Sequence, residues 1–133
     1  MKNVLFVCVH NSGRSQMAEA YLNALGSGVA TAESAGTEPA DGLNPTVVQV
    51  MEEAGFDRSG HYPKIMTPEM VNRADRIITM GCDVNAGVCP AVFIPSEDWG
   101  LDDPKGKSIE AVRKIRDQVR EKVEALIRES RES

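Results

Sequence analysis

Nowhere in the 133 residues is there an apolar run approaching the roughly 18 needed to cross a bilayer. The nearest candidate for a leader core, Val4 to Val9, is too short and too soon followed by His10 and Asn11 to be a secretory signal. A membrane partner is therefore excluded and a cytoplasmic location is expected. A basic cluster is missing too: 15 Lys and Arg stand against 20 Asp and Glu, for a net charge of -5. The arginines near the C-terminus are interleaved with glutamates, so a nucleic-acid footprint is excluded and that face reads as solvated. Cysteines number three, at positions 8, 82 and 89. So few, and an odd count, do not make a disulfide framework; they fit thiol chemistry in a reducing compartment. With two histidines, His10 and His61, a zinc site would have to gather ligands from distant segments, and Cys82-x6-Cys89 is not a zinc spacing. No metal site is expected.

What is present is ordinary for one globular domain spanning 1-133: 41% apolar and 26% charged residues, in a chain long enough to bury about two-thirds of its unfolded surface. Asn3 to Val7 is a near-continuous apolar, β-branched run, the pattern of a strand buried on both faces. Met17, Ala18, Tyr21, Leu22 and Leu25 recur at helical spacing and Gly26 supplies a stop. Val29 to Glu33 reads as a second strand, followed by Ser34-Ala35-Gly36 and a Gly/Pro/Asp-rich loop over Thr37 to Leu43. Asn44 as N-cap, Pro45 at the first helical position and Gly55 past the end bracket a second helix, with Val47, Val48, Met51 and Ala54 as its core face.

Thr67-Pro68-Glu69 starts a short helix to about Asn72. Arg76 to Met80 is a third strand that delivers Gly81-Cys82, and Ala91 to Ile94 is a short fourth strand stopped by Pro95. From Ser108 a helix places Ile109, Val112, Ile115, Val119, Val123 and Leu126 on one stripe, fraying beyond Arg128. His61 and Tyr62 read as part of a loop packed on the sheet, and Trp99 as a lid or core aromatic. The alternation of strands and helices predicts an α/β fold: a doubly wound four-stranded parallel sheet with helices on both faces. Ligands of such sheets sit beyond the strand C-termini, where Cys8, Cys82 and the Asp102/Asp103 loop would share one rim.

The stretch Cys8-Val9-His10-Asn11-Ser12-Gly13-Arg14-Ser15 carries the clearest chemistry. A C-x5-R loop between a strand and a helix is short enough to wrap its backbone N–H groups around one tetrahedral oxyanion, and the arginine adds a planar two-pronged donor. The helix N-terminus favours negative charge on both the anion and a thiolate. Cys8 is therefore the candidate nucleophile. Arg14 would clamp the anion, with the backbone of Val9, His10, Asn11, Ser12, Gly13 and Ser15 lining it. The Ser15 hydroxyl can donate to the thiolate, and Asn11 and Gly13 suit a tightly curled loop. The plain alternative makes Cys8 a buried small hydrophobe and Arg14 a surface cation. Asp103-Pro104 offers a general acid for a leaving oxygen; Asp102 competes for that role, and either can simply cap a turn. Cys82 and Cys89 lie in a small, flexible loop in which two thiols can meet and relay a disulfide from Cys8 outward, unless they are two unrelated core cysteines.

Taken with Ser34-Ala35-Gly36, Leu43-Asn44-Pro45, Cys82-x6-Cys89-Pro90 and Trp99-x-x-Asp102-Asp103-Pro104, the Cys8 loop resembles that of arsenate reductases with the low-molecular-weight tyrosine phosphatase fold. The likeness extends over nearly the whole chain, and Gln16-Met17-Ala18-Glu19 after Ser15 looks like the reductase branch. The resemblance implies arsenate as substrate, with phosphate or sulfate as analogues. It further implies a Cys8-arsenate adduct protonated by Asp103, successive Cys8-Cys82 and Cys82-Cys89 disulfides, and thioredoxin as electron donor to a monomer without a bound cofactor. A phosphatase using Cys8, Arg14 and Asp103 is the alternative, although Pro104 is followed by Lys105-Gly106 rather than by an aromatic suited to phosphotyrosine. Two departures stand out. Gly13 occupies a place where thioredoxin-coupled members often carry a further cysteine. Lys64 aligns with an aspartate that binds potassium in some members, which implies that its ammonium steadies Asn11 and Ser34 instead. Met80-Gly81-Cys82 also resembles mycothiol-linked relatives.

Overall fold

The computed structural model describes residues 2–58, 60–81 and 97–132. Strand β1 (Lys2–Cys8) lies at the centre of the sheet, paired in parallel with β2 (Ala30–Gly36) on one side and β3 (Arg76–Thr79) on the other. A two-residue strand β4 (Glu97–Asp98) extends β3, also in parallel, giving the order β2-β1-β3-β4. The register sets Cys8 opposite Gly36 and Val7 opposite Thr79, so the predicted C-terminal rim exists. The sheet is the parallel, helix-covered one expected from the sequence.

The β1 sequence is apolar throughout because both faces are covered. Val4, Phe6 and Cys8 point into the larger core beneath α1 (Arg14–Leu25), α2 (Pro45–Glu53) and α4 (Ile109–Glu132). Leu5 and Val7 point the other way, joining Ala35 under Met70, Val71 and Ala74 at the short helix α3 (Pro68–Arg73). Cys8 thus sits at the end of the strand on the α1 face. Trp99 tilts against Phe6 with ring centroids 5.4 Å apart, which makes it a core aromatic.

Local signals account for most boundaries. Asn44 Oδ1 accepts from the N–H groups of Thr46 and Val47 at 2.9 and 3.4 Å, with Pro45 following, and Thr67 caps α3 in the same way. The differences from expectation are informative. On α2 it is Val50 that is buried with Val47 and Met51, while Val48 and Ala54 are half-covered, and α2 packs against α4. Helix α4 does not fray at Arg128 but runs to Glu132; Ile127 is buried and Glu129 accepts from Arg76 Nη1 at 3.2 Å. Tyr62 is 64% exposed rather than packed on the sheet. The expected strand at Ala91 to Ile94 lies outside the described residues. Among the described residues no helix is long and apolar enough to cross a membrane.

Candidate active site

Between β1 and α1 the chain makes a tight arc from Cys8 to Arg14. Val9, His10 and Ser12 use their carbonyls outward, accepting the N–H groups of Glu38, Ala40 and Asn44 at 2.8, 3.0 and 2.9 Å. In a trans peptide the N–H that follows points the opposite way, so this outer belt turns loop donors toward the thiol. The N–H of Asn11 donates to Cys8 Sγ at 3.2 Å, and Asn11 holds the left-handed backbone, φ 52°, that the turn requires. At the helix start Gly13 is the N-cap and makes no side-chain cap bond.

Cys8 and Arg14 combine the two readings drawn from the sequence. Cys8 is buried, but its Sγ is 2.9 Å from Ser15 Oγ as well as within reach of Asn11. Asn11 Nδ2 donates to the same Ser15 oxygen at 2.7 Å, so the Ser15 hydroxyl keeps its own proton to offer a Cys8 thiolate. Arg14 is no surface cation: it is 6% exposed, and its Nη1 donates to the carbonyls of Met80 and Leu101 at 3.1 and 2.5 Å. Two backbone acceptors from different segments thereby fix the plane of the guanidinium over the loop. Gly81, at φ +114°, permits this approach, since a Cβ there would lie 2.5 Å from the Leu101 carbonyl and 3.0 Å from Arg14 Nη1.

A cavity of about 730 Å³ opens above the loop. Cys8, Val9, His10, Ser12, Gly13 and Arg14 form its floor, residues 38–45 one wall, and Gly81 with Asp103, Pro104, Lys105 and Gly106 another. Asp103 faces this cavity and also accepts from the Lys105 N–H at 3.0 Å, whereas Asp102 is exposed and lines a separate depression near α4. The two aspartates are therefore distinguished by position. Asp103's loop rests on the anion loop itself, because the space a Gly13 Cβ would need is taken by Pro104 Cγ at 2.8 Å. His10 Nδ1 donates to the Glu38 carbonyl at 3.1 Å, so its role in the structure is to tie the loop to its outer wall. Cys82 and Cys89 lie outside the described residues.

Beneath the loop is a polar layer of which only Lys64, Asn11 and Ser34 were expected from the sequence. Asn11 Oδ1 accepts from Gln16 Nε2 at 3.1 Å and from the Lys64 backbone N–H at 2.9 Å. Gln16 Oε1 in turn accepts from Arg58 Nη2. Burial presses Arg58 below its usual ionisation range, and the Glu19 carboxylate 3.6 Å away opposes that. Glu19 also takes a hydrogen bond from Ser34 Oγ at 2.6 Å and lies 3.8 Å from Lys64 Nζ. Lys64 thus reaches Ser34 through Glu19 and Asn11 through its main chain, not with its ammonium directly. With two protein cations already on this carboxylate, the residues do not fit a potassium ion as well. Arg58 sits in a Gly/Asp-containing loop, where no periodicity marks it as buried; Gln16 is legible only as a polar residue in the first turn of a helix.

The sequence matches the low molecular weight phosphotyrosine protein phosphatase family over residues 3–133. It is 42% identical to the glutaredoxin arsenate reductase of Synechocystis sp. over 131 residues, 96% of this chain and 97% of that protein. Among solved structures it is similar to an arsenate reductase in the phosphate binding state, with TM-score 0.83 and 41% identity over 97% of this chain and 98% of that one. It is also similar to a thioredoxin-dependent arsenate reductase from Corynebacterium glutamicum, with TM-score 0.78 and 32% identity over 98% of this chain and 62% of that one.

Proposed function

The chain belongs to the low molecular weight phosphotyrosine protein phosphatase family, and from that premise we propose that it is an arsenate reductase working by a thiol relay. The observation that carries the proposal is the buried Cys8 sulfur within hydrogen-bond distance of the Asn11 N–H and the Ser15 hydroxyl at the floor of a cavity, with an anchored Arg14 beside it. Solved relatives described as arsenate reductases support the choice of substrate.

In this reading the Cys8 thiolate attacks arsenic while the loop N–H groups and Arg14 hold the oxyanion. Asp103 supplies the proton with which one oxygen departs as water, leaving a Cys8-arsenate adduct. The Cys82 thiolate then attacks the Cys8 sulfur. The S–As bond breaks, its electron pair stays on arsenic, and arsenite leaves a Cys8-Cys82 disulfide. Attack by Cys89 on Cys82 returns Cys8 as thiolate and forms Cys82-Cys89, which a thioredoxin dithiol reduces. Two thiols are oxidised for each arsenic reduced, so no bound cofactor is required. The protein acts as a cytoplasmic monomer in this scheme.

A second activity is supported by the cavity. Its volume of about 730 Å³ far exceeds that of one oxyanion, and Cys8, Arg14 and Asp103 serve phosphate-ester hydrolysis equally well; slow phosphatase turnover is expected. Arsenate-dependent NADPH oxidation with thioredoxin and thioredoxin reductase tests the main reading. Wild type should turn over and Cys89→Ser should not, while Cys82→Ser keeps the phosphatase activity. An inert wild type that hydrolyses p-nitrophenyl phosphate rapidly would reject reduction as the function. Turnover supported by glutaredoxin with glutathione, but not by thioredoxin, would reassign the donor.

A further inference from the structure

We propose that the cavity above Cys8 takes a small zwitterionic phosphomonoester, a free O-phospho-amino acid with an aliphatic side chain, as the substrate class of the phosphatase activity on which this inference rests. Arg14, 6% exposed, is anchored through Nη1 and so keeps Nη2 for phosphoryl oxygens. Around that anion seat the cavity carries three further charges, the Glu38 and Asp41 carboxylates on one wall and the Lys105 ammonium on the other. All three residues are exposed, and their side chains have no ionic partner among the described residues. Carboxylates beside an anion site repel the bare anion, which favours a ligand that brings a cation of its own. Lys105 calls for a second anionic group on the ligand's other side. An α-ammonium and an α-carboxylate supply both. Among the described residues no aromatic side chain lines the cavity, so nothing there would stack on an aryl ester.

These charges hold set places relative to the reacting atoms. The Glu38 backbone is tied to the anion loop at both its groups: the N–H donates to the Val9 carbonyl at 2.8 Å and the carbonyl accepts from His10 Nδ1 at 3.1 Å. The Ala40 N–H donates to the His10 carbonyl at 3.0 Å, so Asp41 follows an anchored position directly. Lys105 is held to the candidate acid, its N–H donating to Asp103 Oδ1 at 3.0 Å, and its side chain therefore starts beside the point where an ester oxygen would leave. In the reaction the Cys8 thiolate attacks phosphorus, the P–O ester bond breaks, and Asp103 protonates the departing alkoxide. The products are the free hydroxy amino acid and a phosphoryl group on the Cys8 sulfur. Water then attacks phosphorus and gives its proton to the Asp103 carboxylate; the S–P bond breaks, releasing phosphate and the Cys8 thiolate. Neither step changes an oxidation state.

Phosphate release by the reduced full chain tests this with p-nitrophenyl phosphate, O-phospho-L-serine, its N-acetyl derivative, which lacks the ammonium, and O-phosphoethanolamine, which lacks the carboxylate. kcat/KM for O-phosphoserine should exceed that for either truncated probe by about twofold to fivefold, the range of a solvent-exposed charge pair. Glu38→Gln combined with Asp41→Asn should lower kcat/KM for O-phosphoserine and raise it for the N-acetyl compound, an opposition of sign that damage to the wall would not produce. Lys105→Gln, which keeps the backbone N–H on Asp103, should erase the advantage of O-phosphoserine over O-phosphoethanolamine. If p-nitrophenyl phosphate turns over while the aliphatic probes are inert or equal, or if the variants lower every probe in proportion, the inference is overturned and the phosphatase reading stands. Failure to hydrolyse any of the probes overturns both.

Discussion

At the scale of single residues, the site depends on glycines as much as on its thiol and guanidinium. Gly81 combines a positive φ with two contacts that a Cβ could not share, and both contacts involve the anchoring of Arg14. Gly81→Ala should therefore weaken competitive inhibition by phosphate about tenfold or more and cost about 1–3 kcal/mol of stability. Inhibition kinetics together with urea denaturation check this; unchanged phosphate inhibition would show that Arg14 is held by something else. Most of this layer was legible in part. The spacing from Cys8 to Arg14-Ser15 identified the loop, and Asn11, expected only to suit a tightly curled loop, holds φ 52° there. The carbonyls of Met80 and Leu101 were not legible, because any residue type presents a carbonyl, and neither was the buried Arg58, since composition does not reveal which arginine is enclosed.

Between elements, the informative contact joins two loops. The Gly13 Cα faces Pro104 Cγ so closely that a Cβ would meet it at 2.8 Å, and Pro104 follows the candidate acid. Gly13→Ala should push the Asp103 loop outward and lower turnover about tenfold, within the range that a general acid contributes, and Asp103→Asn should reproduce the loss. Steady-state kinetics would contradict this if Gly13→Ala were as active as wild type. At this scale the sequence was most readable where capping chemistry is explicit: Asn44-Pro45 and Thr67-Pro68 begin helices as expected. It was least readable where tertiary contact overrides local pattern. Glu97-Asp98 is a strand only because β3 is beside it, with Thr79 Oγ1 donating to Asp98 Oδ1 at 2.8 Å. At the far end of α4, Ile127 is buried in the core and Arg76 pairs with Glu129.

For the whole molecule, surface ion pairs tie the sheet edges to their surroundings and predict an acid limit. The Arg73 guanidinium holds the Glu33 carboxyl below its ordinary value, and Arg76 does the same for Glu97, each chiefly through paired hydrogen bonds. A carboxylate so depressed contributes stability at pH values above its unfolded value of about 4.5 and loses it as the pH falls through its lower folded value. Both pairs are substantially exposed, so solvent screening leaves each only a small contribution. The urea midpoint should fall between about pH 5 and pH 3, and less so in high salt; a midpoint unchanged to pH 3 would contradict this. The parallel sheet and its rim were visible in the alternation of elements, and that rim is what brings Cys8, Gly81 and Asp103 around one cavity. What distinguishes a reductase from a phosphatase on this frame is the fate of Cys8, which a single turnover reads directly. Fully reduced protein mixed with excess arsenate, with no electron donor present, should release one equivalent of arsenite and lose two titratable thiols per chain. No arsenite and three remaining thiols, in protein that still hydrolyses p-nitrophenyl phosphate, would contradict the relay.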